Sequence, residues 1–352
     1  MKKQLFLDSI DLLKNLIKIK SFSGKENLTG DLIEKWFNKN NIKHKRNKNN
    51  IWAKNKFFDN EKPTILLNSH HDTVKPNESY TKDPFNPDIV QNKLYGLGSN
   101  DAGGALVSLM SVFKYFYESS DLNYNIIIAT TAEEEIAGEN SIRLLLKELP
   151  EINFAIIGEP TLMNLAIAEK GLVVFDGKIN GTASHAAHEN KNNAINKLSE
   201  IINWFKNFKF EKISSFLGPV KLTITQINAG SQHNVIPSEV EIVVDVRVNE
   251  LYSNDEIVEI LQKEAPCKLI PRSTNLKSSS ISSNHKIVKA AINLGKKTYG
   301  SPTLSDQAAL NCPSLKLGPG DSKRSHIADE FIYLDEIEEG INFYIKLLKQ
   351  IL

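Results

Sequence analysis

Two regimes of hydrophobic patterning divide the chain. Up to about residue 170, helical spacing alternates with short, solid apolar runs. Leu5, Leu12, Leu13, Leu16 and Ile17 recur at helical intervals. A polar strand-turn region lies around 43–57, followed by a buried strand over 64–68. The pattern then predicts a long helix over about 104–119, a strand over 125–130, a helix over about 141–149 and a strand over 154–157. Strands alternating with helices imply an α/β layer on a mixed, mostly parallel sheet with flanking helices.

From 171 the period changes to strict alternation over 172–179. A helix over about 193–208, strands over 220–228 and 240–248, a capped helix over 253–264 and a short strand over 268–270 follow. The order β-α-β-β-α-β is that of a ferredoxin-like α+β unit. The Ser-rich stretch 273–283 reads as a return linker. After it come a helix over about 285–299, a strand-like run at 315–317 and a final helix over 334–351. The expected organisation is one domain formed by 1–170 and 281–352, with 171–280 inserted. No internal repeat is evident.

Composition narrows the function. A length of 352 residues suits two domains, and 41% hydrophobic with 24% charged residues excludes a disordered chain or a coiled coil. Lys plus Arg is 43 against 42 acidic residues, a net charge of +1, which offers no footprint for nucleic acid or anionic lipid. Arginine occurs five times, so lysine clusters carry little weight and an arginine in a motif carries more. Cys267 and Cys312 are too few and too isolated for a disulfide framework or a thiolate metal site. Any metal must then be held by the eight histidines and the carboxylates. Asp8 and Asp11 interrupt the apolar stretch that a signal peptide would need. No apolar run is long enough to span a membrane, and a cytoplasmic protein is expected.

The candidate chemistry sits at strand ends. The runs at 64–68, 126–130 and 155–157 lead into Ser69-His70-His71-Asp72, Glu133-Glu134-Glu135 and Gly158-Glu159-Pro160. The run at 315–317 leads through Gly318-Pro319-Gly320-Asp321 towards Ser325-His326. In open α/β sheets the carboxyl ends of strands line the ligand crevice, so these groups can converge. His70 and Asp72 share a face at i and i+2, where the acid can orient the imidazole; elsewhere such a pair is often a surface turn. Asp101, in Gly96-Leu97-Gly98-Ser99-Asn100-Asp101, is either an ordinary loop acid before a helix or an acid placed to bridge two ions. Three successive acids are usually a solvated patch, but after an apolar strand they crowd like charges unless cations compensate. His185 is a loop histidine in the inserted domain, and His44, His188, His233 and His285 read as structural or surface.

Taken together, these motifs resemble the zinc amidohydrolases that include acetylornithine deacetylase, succinyl-diaminopimelate desuccinylase, aminoacylases and glutamate carboxypeptidases. The resemblance runs nearly end to end. It is carried by HxD at 70–72, GxGxxD at 96–101, TxEEE at 131–135, GEP at 158–160, GxxxH at 181–185, NVIP at 234–237, Asp245-Val246-Arg247 and GPGDSxxSHxxDE at 318–330. It implies a zinc-exopeptidase-like catalytic domain with an inserted lid and dimerisation domain. It further implies two Zn²⁺ per subunit, with Co²⁺ as a substitute: His70, Asp101 and Glu159 at one, Asp101, Glu135 and His326 at the other. Asp72 would back His70, Glu134 would be the general base, and a cis peptide would follow Asp101. His185 would donate to the oxyanion, in many relatives from the partner of a homodimer, and Asn234 and Arg247 would grip the substrate carboxylate.

The segment Ser305-Asp306-Gln307 before Gly-Pro-Gly-Asp-Ser is similar to the deacetylases that act on N-acyl-ornithine, and Leu304-Ser305-Asp306 departs from the Gly-Thr-Ser-Asp of the desuccinylases. The expected activity is therefore deacylation of N-acetyl- or N-succinyl-ornithine in arginine biosynthesis, with small N-acyl amino acids and water as partners. Desuccinylation of N-succinyl-diaminopimelate in lysine biosynthesis and a di- or tripeptidase are the alternatives. A catalytically dead binding protein on the same fold is disfavoured by the complete donor set.

Overall fold

A computed structural model describes residues 2–352, which divide into two compact units. The first comprises the chain up to Ile167, Ser280–Tyr299 and Ser305–Leu352; the second comprises Ala168–Ser279 and Gly300–Leu304.

Strand Thr64–His70 lies at the centre of the first unit, buried at every position. It runs parallel to Asn125–Thr131 on one side and to Phe154–Ile157 on the other, and Phe154–Ile157 pairs in parallel with Ser314–Lys316. The edges are antiparallel: Asn50–Lys54 joins Asn125–Thr131 and carries the hairpin strand His44–Asn47, while Leu165–Glu169 flanks Ser314–Lys316. The sheet is thus mixed around a parallel centre. Both faces are covered, which is why the central strands read as solid apolar runs rather than alternating ones. Ile65, Leu66 and Leu67 are fully buried, and each such side chain contributes about 1.5–3 kcal/mol by leaving water. Helix Gly104–Phe116 is buried along nearly its whole length, between the sheet and the helices Lys2–Ile17 and Leu334–Leu348. No helix among the described residues is long and apolar enough to cross a membrane.

In the second unit the strands Gly171–Asn180 and Glu239–Val248 alternate buried and partly exposed positions. One sheet face is covered, by helices Ala194–Asn207 and Asn254–Glu264, through Ile201, Phe205, Ile257 and Leu261. The all-antiparallel order places Lys221–Ala229 next to Glu239–Val248, then Gly171–Asn180, then Lys268–Pro271. In chain order this is 2-3-1-4, the ferredoxin-like arrangement.

Local structure departs from the sequence reading in four places. Helix Asn27–Lys39 and strand Leu165–Glu169 were not expected, although Ile33, Trp36 and Phe37 sit at helical spacing. The helix at 141–149 is regular only over Ile142–Leu145 and continues as turns. The helix expected over 285–299 ends at Asn293, because Gly295 takes a left-handed φ of +86° and turns the chain into strand Thr298–Ser301. The Ser301 carbonyl then accepts the Lys170 N–H at 3.1 Å, which ties residues 300–304 to the second unit.

Candidate metal centre

Parallel pairing brings the strand ends of the first unit together. His70 closes the central strand opposite Thr131, and the chain beyond Thr131 carries Glu133, Glu134 and Glu135. Glu159 follows Phe154–Ile157, and Asp101 lies on the loop before helix Gly104–Phe116, where the Asp101–Ala102 peptide is cis. His70 Nε2 lies 3.4 Å from Asp101 Oδ1, 3.8 Å from Glu159 Oε1 and 3.9 Å from Glu134 Oε2. His326 Nε2 lies 3.0 Å from Glu135 Oε2 and 3.7 Å from Asp101 Oδ2. The donor atoms of His70, Asp101 and Glu159 form one group within 4.8 Å of one another, and those of Asp101, Glu135 and His326 form a second. Asp101 belongs to both.

The three successive acids take separate directions. Glu133, at a φ of +54°, turns away and accepts from the Asn140 amide at 3.1 Å and its Nδ2 at 2.8 Å. Glu134 faces His70, and Glu135 faces His326. Asp72 fixes this split: its Oδ1 accepts the Glu134 N–H at 3.1 Å and its Oδ2 accepts the Glu135 N–H at 3.2 Å. Asp72 Oδ2 also accepts from Ser23 Oγ at 2.7 Å, and Oδ1 lies 3.4 Å from His70 Nδ1. One carboxylate therefore orients the imidazole and the two following acids. Its pKa falls below the ordinary value because, against the burial that opposes ionisation, His70, Ser23 and the Glu134 amide stabilise the charge.

The electrostatics fit divalent cations. Asp101, Glu134, Glu135 and Glu159 each expose 13% or less of their side chains, beside buried Asp72 and Asp306. Burial and the neighbouring Asp101 charge, opposed by His70, push the Glu159 carboxyl up to about 8. Glu134 is held well above its usual value by burial and by Glu159, Asp306 and Glu135, again against His70. His70 is fully enclosed, yet the surrounding carboxylates outweigh burial and raise it. Its Nε2 is buried without a hydrogen-bond partner and faces those carboxylates. An orphaned imidazole nitrogen amid crowded acids is the environment that a hard-to-borderline cation completes.

Several residues that support this centre had no role assigned from the sequence, although Asp306 and Glu330 lie within quoted motifs. Asp306 is buried, accepting from Asn68 Nδ2 at 2.8 Å and Thr131 Oγ1 at 2.6 Å across adjacent strands. Ser23, Glu26 and Glu330 also reach the loops that carry the donors. Their partners are distant in sequence, so no local spacing marks them. The remaining expected residues belong to the second unit. His185 is exposed, its Nδ1 accepting from the Ala187 amide at 3.1 Å, and Asn234 is exposed. Arg247 directs Nε and Nη2 to its neighbour Asp245 at 2.9 and 3.0 Å.

Two groups of three donors sharing one aspartate, at the carboxyl ends of parallel strands and beside a further carboxylate, form the kind of centre that metal-dependent hydrolases use. The chain belongs to peptidase family M20/M25/M40, whose model matches residues 66–350. It is a hydrolase of that metallopeptidase and amidohydrolase family, acting on a small molecule and water. Among curated proteins it is 29% identical over 278 residues to succinyl-diaminopimelate desuccinylase of Orientia tsutsugamushi, covering 72% of this chain and 70% of the relative. It is 25% identical over 334 residues to the desuccinylase of Pelagibacter ubique, covering 85% of each. These relatives carry the desuccinylase name, whereas the 304–307 segment led to the deacetylases. Among solved structures, a tripeptidase from Staphylococcus aureus matches with a TM-score of 0.78 at 20% identity, covering 100% of this chain and 98% of that one. A dinuclear metal binding M20 peptidase from Bacillus subtilis matches with a TM-score of 0.74 at 16% identity, covering 98% of each. The structural likenesses speak for the fold.

Proposed function

We propose that the chain hydrolyses the N-acyl amide of a diamino acid, with N-succinyl-diaminopimelate as the first substrate to test. The observation that carries the hydrolytic reading is the pair of donor groups sharing Asp101 with Glu134 beside them. The names of the curated relatives support the succinyl and diaminopimelate parts. N-acetyl- or N-succinyl-ornithine is the second reading, supported by the likeness of Ser305-Asp306-Gln307, followed by Gly-Pro-Gly-Asp-Ser, to the deacetylases.

In this reading His70, Asp101 and Glu159 hold one ion and Asp101, Glu135 and His326 the other, with zinc the expected metal and cobalt a substitute. Bound there, two such ions supply Lewis-acid activation of the amide carbonyl and acidify water. Glu134 takes the proton of the attacking water at its carboxylate and returns it to the leaving amine nitrogen. Asp72 holds the Glu134 backbone and the His70 ring in register for this. The family resemblance gives His185 the part of oxyanion donor, in a homodimer as the partner subunit's, and gives Asn234 and Arg247 the substrate carboxylate, for which Arg247 would have to share its fork with Asp245. A cytoplasmic location suits such a small-molecule reaction.

The test is a comparison of kcat/KM for N-succinyl-diaminopimelate, N-succinylornithine, N-acetylornithine and a tripeptide with zinc-loaded protein. Preference for N-succinyl-diaminopimelate is expected. Preference for an ornithine derivative transfers the assignment to the second reading, and turnover of the tripeptide alone removes both.

A further inference from the structure

Glu330 is 1% exposed, and none of the roles above uses it. Its carboxylate lies against the loop that carries Asp101. Oε2 accepts the Gly98 N–H at 3.0 Å, and Oε1 accepts the N–H groups of Asn100 at 2.8 Å and Asp101 at 2.9 Å. The Gly96 N–H donates to the Glu330 carbonyl at 3.0 Å. These amides open the segment that leads into helix Gly104–Phe116, where N–H groups have no partner from a preceding turn, and around Asp101, at φ −115° and ψ 100°, the backbone is not helical. A buried carboxylate meeting three amide donors satisfies both sides at once.

A second stitch joins the same two segments. Asn100 Nδ2 donates to the Asp321 carbonyl at 3.0 Å, and Asn100 Oδ1 accepts the Asp321 N–H at 3.0 Å. Gly320 passes so close that a Cβ there would lie 2.6 Å from Asn100 Oδ1. The segments joined in this way carry Asp101 and His326, which are 225 positions apart by the difference of their numbers in the chain. The His326 side chain is 52% exposed, so packing does little to hold it.

We infer that Glu330 is a positioning residue for the second donor group, setting the separation of Asp101 and His326 and with it the ability of Asp101, Glu135 and His326 to hold an ion. The inference rests on the metal reading of the site. Glu330→Gln keeps the shape but turns an amide donor of its own towards one of the backbone N–H groups. Glu330→Asp keeps a carboxyl group but shortens the reach.

The experiment titrates metal-free wild type and both variants with Co²⁺ alone, following the visible absorption of bound Co²⁺, with far-UV circular dichroism and thermal midpoints alongside. Wild type is expected to take up two equivalents. Glu330→Gln should keep the tighter equivalent and the wild-type fold while its weaker equivalent loses about 10- to 100-fold in affinity, and Glu330→Asp should fall between. Wild-type affinity for both ions in either folded variant overturns the inference. So does equal loss of both ions, or failure of both variants to fold, since Glu330 would then serve the fold as a whole. Wild type that takes up no Co²⁺ instead removes the metal reading itself.

Discussion

Replacing Glu134 by glutamine probes both the charge balance and the chemistry of the centre. The Glu134 and Glu159 carboxylates lie 3.9 and 3.8 Å from the same nitrogen of His70. They are therefore no more than about 8 Å apart, and at an effective dielectric of about 20 two like charges there repel by about 2 kcal/mol. In metal-free protein, burial, opposed by His70 and reinforced by Glu159, Asp306 and Glu135, holds the Glu134 carboxyl well above its ordinary 4.5. A carboxyl raised in the folded state costs stability as pH rises, because the unfolded chain ionises first. Glutamine cannot ionise. Metal-free Glu134→Gln should thus be more stable than metal-free wild type by about 2 kcal/mol at alkaline pH, a gain of about 3–6 °C in thermal midpoint. The gap should close as pH falls below 4.5. Metal content should stay at the wild-type level, since the substitution leaves the backbone bond to Asp72 intact. Turnover should drop by about 10²–10⁴-fold, the contribution of a positioned base, or about 3–5 kcal/mol. Melting curves of chelated protein across pH, metal analysis and steady-state assays measure each part. Turnover within about tenfold of wild type would refute the role as base, and a metal-free variant less stable than wild type at alkaline pH would refute the charge argument.

Metal removal should destabilise the protein more at pH 8 than at pH 5, because the metal-free fold must keep Glu159, raised to about 8, protonated while the unfolded chain does not. A chelator-induced change in midpoint that is the same at both pH values would count against this. Glu133→Ala removes only the contacts to Asn140, so a loss of about 1–3 kcal/mol in denaturant unfolding with unchanged metal content and turnover is expected. A metal-deficient Glu133→Ala would place that acid in the centre after all. Leu67→Ala, at a fully buried position of the central strand, should cost about 2–5 kcal/mol, and a loss under about 1 kcal/mol would mean that the strand packs loosely.

The parts of the molecule legible in the sequence are those with a local signature. The solid apolar runs marked the central parallel strands, and the alternating ones marked the half-covered sheet of the second unit. Strand ends located His70, Glu134, Glu135 and Glu159, since a carboxyl-end ligand follows its strand directly. Helix Asn27–Lys39 was missed because its apolar positions, among them Ile33, Trp36 and Phe37, sit among lysines and asparagines that resemble the compositional background of the chain. The different fates of Glu133, Glu134 and Glu135 were implied by the family motif at 131–135 but had no signature in local periodicity or charge. They depend on Asp72 and Asn140 as hydrogen-bond partners.

By itself the sequence determined the element types, the two patterning regimes and the inventory of residues able to bind a metal, because periodicity and residue chemistry are properties of neighbouring positions. The family resemblance already implied that Asp101 is shared and that Asp72 backs His70; only the tertiary structure decided that Asp72 also holds the Glu134 and Glu135 amides and that Asp306 and Glu330 are buried against the strands and loops that carry the donors. Those arrangements arise from parallel pairing and from hydrogen bonds between segments remote in the chain. Such contacts are selected by the packing of the whole unit and leave no period for a sequence to display.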